Sequence, residues 1–417
     1  AAMKVKNLFK PYLGMRKEIY IITISRTINA FGVMIFPFLT LLLNNKLGLA
    51  PSQTGFYIAL TGFIYAPASL IGGKISDQWG RKKVLVLFEI LAAICYIMCI
   101  FMEPTMKMLY ILMTASFCFG VAGPSHDAMT ADLTTPKQRQ GAYSLSYLGF
   151  NLGFAFAQIL AGFLFENHLK LMFIIDAGTA LTGIILIAFF VPETYTPKRR
   201  NTTKVPESLS GESIIRILLK RPILIYFALA AFGYRFVYSQ WHFMVPMHTE
   251  FNFPEEGAKL FGLLGSVNAL FVVIFTPIIT ALLVKKSNLD RIIYGGLLFT
   301  IGFGMLGFYS TRTAFFISVI IFTTGEILEA ISNMPFIMNH TPETHRGRMS
   351  SIIPLLMGIG YSIGPIIMGI VLENSSYLIG WTIAAMVVMV STAAMIFIRK
   401  FDLTDRKTME MAGVETE

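Results

Sequence analysis

The chain has 417 residues, of which 55% are hydrophobic and only 14% charged, with 36 Phe and 23 Met. A soluble domain carries about 25% charged residues, so this composition excludes a water-soluble globular fold. The net charge of +10 does not point to nucleic acid, because the basic residues fall into the loops between long apolar runs; no nucleic-acid partner is expected.

Runs of about 20 apolar residues cross a hydrocarbon core of about 30 Å. Twelve follow one another, at 18–43, 53–75, 82–102, 107–131, 140–165, 170–192, 222–247, 259–284, 290–310, 313–339, 348–373 and 377–399. The first continues past Arg26 and Pro37 at full spanning length, as a span does and a cleaved leader does not. Cys95, Cys99 and Cys118 fall inside spans 3 and 4, where thiols read as small packing residues, so neither a disulfide nor a metal site is expected. The longest polar and basic segment, 193–221, divides the spans six and six. The expected domains are therefore an N-terminal six-helix bundle (1–192), a cytoplasmic linker (193–221), a C-terminal six-helix bundle (222–400) and a cytoplasmic tail (401–417).

With both termini cytoplasmic, only Lys46, Lys107, Lys170, Lys259 and Arg312 fall in loops on the far side, and Arg26 and Arg235 lie within spans. That asymmetry is the positive-inside pattern of a multi-pass protein of the inner or plasma membrane. The halves also repeat. Arg26 and Pro37 match Arg235 and Pro246, Pro67 and Arg81 match Pro277 and Arg291, and Arg139, Gly153 and Gly162 match Arg346, Gly360 and Gly369, always about half a chain apart. Bundles built from two repeats place their site at mid-membrane between them.

Between spans 2 and 3 lies GGKISDQWGRKKV (72–84), a dense charge cluster that has to be a short loop on one face of the bilayer. Gly73, Asp77, Gly80, Arg81 and Lys82 have the spacing of the signature loop of the major facilitator superfamily, which the chain resembles from about residue 15 to 400. The copy in the second half, VKKSNLDRIIYG (284–295), keeps Arg291 but loses the glycines and the acid. The resemblance implies an all-α integral membrane protein, twelve transmembrane helices in two pseudo-symmetric six-helix bundles. More narrowly the chain is similar to the twelve-helix drug/proton antiporters. Its Gly325-Glu326-Ile327 resembles an element of multidrug exporters and of proton-coupled peptide carriers. Two departures weaken the antiporter likeness: Ser116 stands where an Arg is usual in span 4, and Ala157-Gln158 replaces the Gly-Pro of span 5.

Charges inside hydrocarbon are costly and face a cavity or a partner. Arg26 and Arg235 are expected to face the central cavity, or else to lock helices by pairing with a nearby acid. Glu326 and Glu329 share one face of span 10. Two carboxylates that close cannot both ionise cheaply, so they are expected to carry protons, Glu326 first; otherwise Arg235 simply neutralises them. Asp127 in span 4 could pair with Arg26 and join the coupling, while His126 beside it reads either as a titrating group or as a packing residue. Asp132 is the expected partner of Arg81, with Asp77 facing the N-terminal end of span 11, and these complete a conformational latch with Gly73, Gly80 and Lys82. Substrate contacts are expected from Arg26, Asn29, Tyr234, Arg235, Tyr238, Trp241, His242 and Asn268, because positions 234, 238 and 241–242 would share one face of span 7. Asn151, Gln158 and Gln240 read as interhelical hydrogen bonds, and Glu89 and Asp176 as snorkelling or capping groups near span ends.

The expected function is a proton-coupled secondary transporter, monomeric, with a small-molecule substrate, protons and membrane lipids as partners and no cofactor. Export of small amphipathic organic compounds leads; a carrier of an anionic, peptide-like or siderophore-like solute is the alternative. A membrane enzyme is disfavoured because no catalytic signature falls in a span; HTPETH (340–345) lies at a span boundary. There is also no phosphate-binding Gly-x-x-x-x-Gly-Lys loop to draw on ATP.

Overall fold

The computed structural model describes residues 12–195, 218–219, 221–341 and 346–411, and among them every regular element is helical. The first half contains α1 (Lys17–Phe31), α2 (Pro51–Trp79), α3 (Arg81–Ile100), α4 (Met106–Asp132), α5 (Pro136–Leu164) and α6 (Leu169–Phe190). The second contains α7 (Pro222–Tyr238), α8 (Met244–Asn252), α9 (Gly257–Leu282), α10 (Asn288–Gly304), α11 (Arg312–Asn339), α12 (Arg346–Asn374) and α13 (Tyr377–Met411). Local chemistry sets several of the starts. Thr135 and Gln138 form a capping box ahead of Pro136, and Ser287 and Asp290 do the same for α10.

Eleven helical stretches among the described residues are long and apolar enough to cross a membrane, α7 and α8 counting as one. The first expected span, 18–43, is the exception, because it is not one continuous helix. Its helix stops at Phe31 after 15 residues and resumes only as a turn at Leu39–Leu41 that runs into a π-helical turn at Leu42–Lys46. A break inside an apolar layer frees backbone N–H groups that lipid cannot satisfy. Here the Asp176 carboxylate on α6 accepts from the N–H groups of Met34 (3.2 Å) and Ile35 (3.2 Å), and Gln158 on α5 donates to the carbonyl of Val33. Asp176 is buried and seven residues inside its helix, so it caps another helix's break and does not snorkel. Gly32 is needed at the break, since a Cβ there would overlap the Thr179 hydroxyl.

Two compact units emerge from the packing. One comprises residues 1–50, 57–197 and 245–273, the other 51–56, 198–244 and 274–417. In the first, α1 packs on α5 and α6, and α3 packs on α4 and α6. The second repeats these pairings with α7 on α12 and α13, and α10 on α11 and α13. The internal repeat read from scattered arginines and prolines is thus a repeat of helix packing. Residues without side chains bring the backbones together, as membrane helices require. A Cβ at Gly262 of α9 would lie 2.3 Å from the Gln158 carbonyl of α5, and one at Gly72 of α2 would lie 2.1 Å from the Val121 carbonyl of α4.

The expected linker 193–221 lies mostly outside the described residues, as do the ends of the chain and residues 342–345 of HTPETH. α13 runs on to Met411, so the expected boundary at residue 400 falls within a helix.

Candidate functional site

The two arginines predicted from their depth each meet an acid. In the first unit Arg26 Nη1 donates to Asp127 Oδ1 at 3.2 Å, with the two side chains 34% and 59% exposed. Adjacent in sequence to Asp127, His126 Nε2 lies 3.0 Å from Glu89 Oε1, and those side chains are only 12% and 5% exposed. The Glu89–His126 pair and Arg26 line one cavity of about 320 Å³, together with Asn29 and Ser116. Glu89 therefore corrects the reading of a snorkelling group near a span end. Counted from Arg81, where α3 starts, it sits eight residues and about 12 Å inside the helix, too deep to reach the head groups. Its tie to His126 joins α3 to α4, and no sequence spacing reveals it.

In the second unit Arg235 Nη2 lies 3.5 Å from Glu329 Oε1, and Asn333 Nδ2 donates to that same oxygen at 3.1 Å. Glu329 is buried while Glu326, one turn earlier, is half-buried and hydrogen-bonded with Tyr238. The shared face expected for 234, 238 and 241–242 is divided instead. α7 ends at Tyr238 and continues as a 3₁₀ turn, Ser239–Trp241, which changes the rotation per residue. Tyr234 is fully buried, its hydroxyl donating to the Ile292 carbonyl and lying 3.1 Å from Thr392 Oγ1, so it packs α7 against α10 and α13. Trp241 packs on Phe322, whereas Tyr238 and His242 both meet Tyr361 of α12, the last through a 3.2 Å contact to His242 Nδ1. Asn268 is buried on α9 within the first unit, so the expected substrate contacts are split between the two units.

The expected loop 72–84 narrows to Gly80 between α2 and α3, the expected Arg81–Asp132 pair forms, and one further residue joins it. Arg81 pairs with Asp132, bonds the Ala128 carbonyl at 2.9 Å, and lies 3.5 Å from Asp77. Gly80 has φ +108°, a conformation that only glycine adopts without strain. Gly73 is not the close-contact glycine of α2: a Cβ there would make an ordinary 4.0 Å contact, and Gly72 holds the tight position. The missed residue is Glu193, just after α6. Its carboxylate accepts from the N–H groups of Arg81 (2.9 Å), Lys82 (3.2 Å) and Lys83 (3.3 Å), capping α3. Burial works against its charged form, but these bonds and one from Tyr195 outweigh it and hold its carboxyl below the usual range. An acid shortly after a span was the available signal.

Helices broken at equivalent places in two repeats, with ionisable groups beside the breaks, are what a secondary transporter is built from. Residues 22–353 match the family model of the Major Facilitator Superfamily, and the chain belongs to that family. It is 21% identical over 402 residues to a Na(+), Li(+), K(+)/H(+) antiporter of Planococcus maritimus, covering 90% of this chain and 93% of the relative. It is 25% identical over 371 residues to the class B tetracycline resistance protein of Escherichia coli, covering 87% and 90%. Among solved structures, the peptide transporter POT in complex with sulfate is similar in fold, with a TM-score of 0.75 at 15% identity over 93% of this chain and 96% of that one. The protein is a multi-pass membrane transporter of the major facilitator fold.

Proposed function

We propose that this transporter is proton-coupled and exports small amphipathic organic compounds by alternating access of its two bundles, 1–192 and 222–400, joined by the 193–221 linker. In this reading both termini are cytoplasmic, the protein works as a monomer in the cell membrane, and Asp77, Gly80, Arg81, Lys82 and Asp132 latch one of its states. The observation that carries it is the pair of carboxylates on α11. Glu329 is buried against Arg235, and Glu326, one turn earlier, is hydrogen-bonded with Tyr238; two carboxylates that close do not both ionise cheaply, so the pair holds a place for a proton. The more exposed Glu326 is the proton carrier, and Glu329 is the partner of Arg235. Relatives named for tetracycline resistance and for cation/proton antiport support exchange against protons.

The anionic-solute alternative loses ground on one point. It rested on two arginines able to receive an anion and on the missing Gly-Pro of span 5, and each arginine has a carboxylate within 3.5 Å.

The test is Glu326→Gln in reconstituted vesicles, with Glu326 fixed as a neutral, proton-loaded mimic. Substrate exchange across a symmetric membrane should survive, while accumulation driven by an imposed pH difference should fall to background. The reading sinks if the variant still concentrates tetracycline or another amphipathic compound against its gradient.

A further inference from the structure

The first unit holds a charge arrangement that this account of coupling does not use. Glu89 is among the most deeply buried acids, on a helix that packs against α4 and α6. It faces inward, onto His126 and into the cavity of about 320 Å³. Leaving a carboxylate in an apolar bundle is costly unless a positive group accompanies it. His126 supplies that group only when protonated.

The charged and titratable groups around the pair are few. From α1 comes Arg26, paired with Asp127 on α4. From α2 comes Tyr65 and from α3 Tyr96, both lining the cavity, and from α5 comes Tyr143, whose hydroxyl donates to the Asp127 carbonyl at 2.8 Å. From α6 comes Asp176, which accepts from the Met34 and Ile35 amides and whose charge reaches Tyr96. One permanent cation therefore stands among three acids, Glu89, Asp127 and Asp176, and protonating His126 adds one positive charge next to Glu89. The hydrogen bonding shows where the proton goes. Nε2 is engaged by Glu89, while Nδ1 is buried without a hydrogen-bond partner among the described residues. In the neutral ring Nε2–H donates to Glu89, and the exchanging proton binds at Nδ1.

The remaining wall is aromatic. Phe36, Tyr96 and Phe119 form a triangle of rings with centroids 5.8–6.5 Å apart, all three lining the cavity. A carboxylate beside aromatic faces suits an alkylammonium group, which gains from both and needs none of the oxygen-rich coordination of a metal ion. We propose that the Glu89–His126 pair and the Phe36–Tyr96–Phe119 wall form an organic-cation site inside the first unit, occupied when His126 is neutral and emptied when His126 is protonated. The inference deepens the export reading and rests on it for the occupant's class. It adds a second proton-responsive place, carried by an imidazole and separate from Glu326.

The test is a binding measurement that needs no gradient, so it succeeds or fails independently of transport. Phenyltrimethylammonium is titrated calorimetrically into purified full-length protein at about pH 5 and about pH 8, on either side of the ordinary imidazole range. Binding should be about tenfold tighter at the higher pH, the effect of one charge gained at close range. Glu89→Gln should lose about tenfold at the higher pH and show no pH dependence. His126→Gln, which keeps a hydrogen-bond donor for Glu89, should bind at both pH values as the unchanged protein does at the higher one. If Glu89→Gln fails to fold, the His126→Gln result decides alone. Equal binding at the two pH values in the unchanged protein, or pH dependence that survives His126→Gln, overturns the proposal. Loss of pH-driven export in vesicles with this binding intact would count against the export reading and not against the site.

Discussion

Arg26 and Arg235 occupy equivalent places in the two repeats and pair with the equivalent helices, α4 and α11, yet their surroundings differ in kind. Arg26 meets Asp127 at an accessible edge, the acid 59% exposed, whereas Arg235 meets Glu329, 3% exposed and further held by Asn333. Attraction between two charges depends on the local dielectric far more than on the few tenths of an ångström separating these distances. The accessible pair is therefore weak and free to rearrange, and the buried pair is a fixed joint. Duplication preserved the arginine, and burial decided its use.

That contrast breaks most readily at Arg235. Arg235→Ala leaves the buried Glu329 without its counter-charge and should cost about 3–5 kcal/mol, read as a fall in thermal unfolding midpoint in detergent. Asp127→Ala should cost about 1 kcal/mol or less. Equal losses from the two would refute the division into a joint and a weak contact.

The helix breaks sharpen the comparison next. The break after α1 depends on a side chain from another helix, while α7 passes through its 3₁₀ turn with bonds from its own backbone and from Gln240. Asp176→Ala strands the Met34 and Ile35 donors, each worth about 1–3 kcal/mol when buried and unsatisfied. Hydrogen exchange should rise at residues 32–38 and remain low at 239–243. Protection unchanged at 32–38 would show that the carboxylate does not hold the break.

The smallest effect belongs to Glu193, which is exposed and screened by solvent. Its folded-state carboxyl lies below its unfolded value of about 4.3, so its contribution is present above that pH and disappears as pH falls through the folded value. Glu193→Gln should lower stability by about 1 kcal/mol or less at neutral pH, with the difference from the unchanged protein closing below about pH 4. A constant difference across that range would assign Glu193 a role other than an ionised cap.

How much was readable depended on the range of each interaction. The Arg26–Asp127 and Arg81–Asp132 pairings were legible because two charges in apolar segments leave few candidate partners. The Glu89–His126 pair was not, since nothing local marks which of several helices an inward-facing acid will meet. Span 7 failed in another way: the face its residues were expected to share depended on the helix remaining regular through Tyr238.

By itself the sequence determined the membrane class, the family and the places where charge must be accommodated, because hydrocarbon thickness, the cost of buried charge and the signature-loop spacing all act along the chain. Only the tertiary structure decided which charges are buried and which accessible, where α1 breaks, and that Gly72 rather than Gly73 admits the neighbouring backbone. Those outcomes turn on burial and on contacts between segments far apart in sequence, as with Asp176 at the Met34–Ile35 break, where two weak local preferences became one satisfied site.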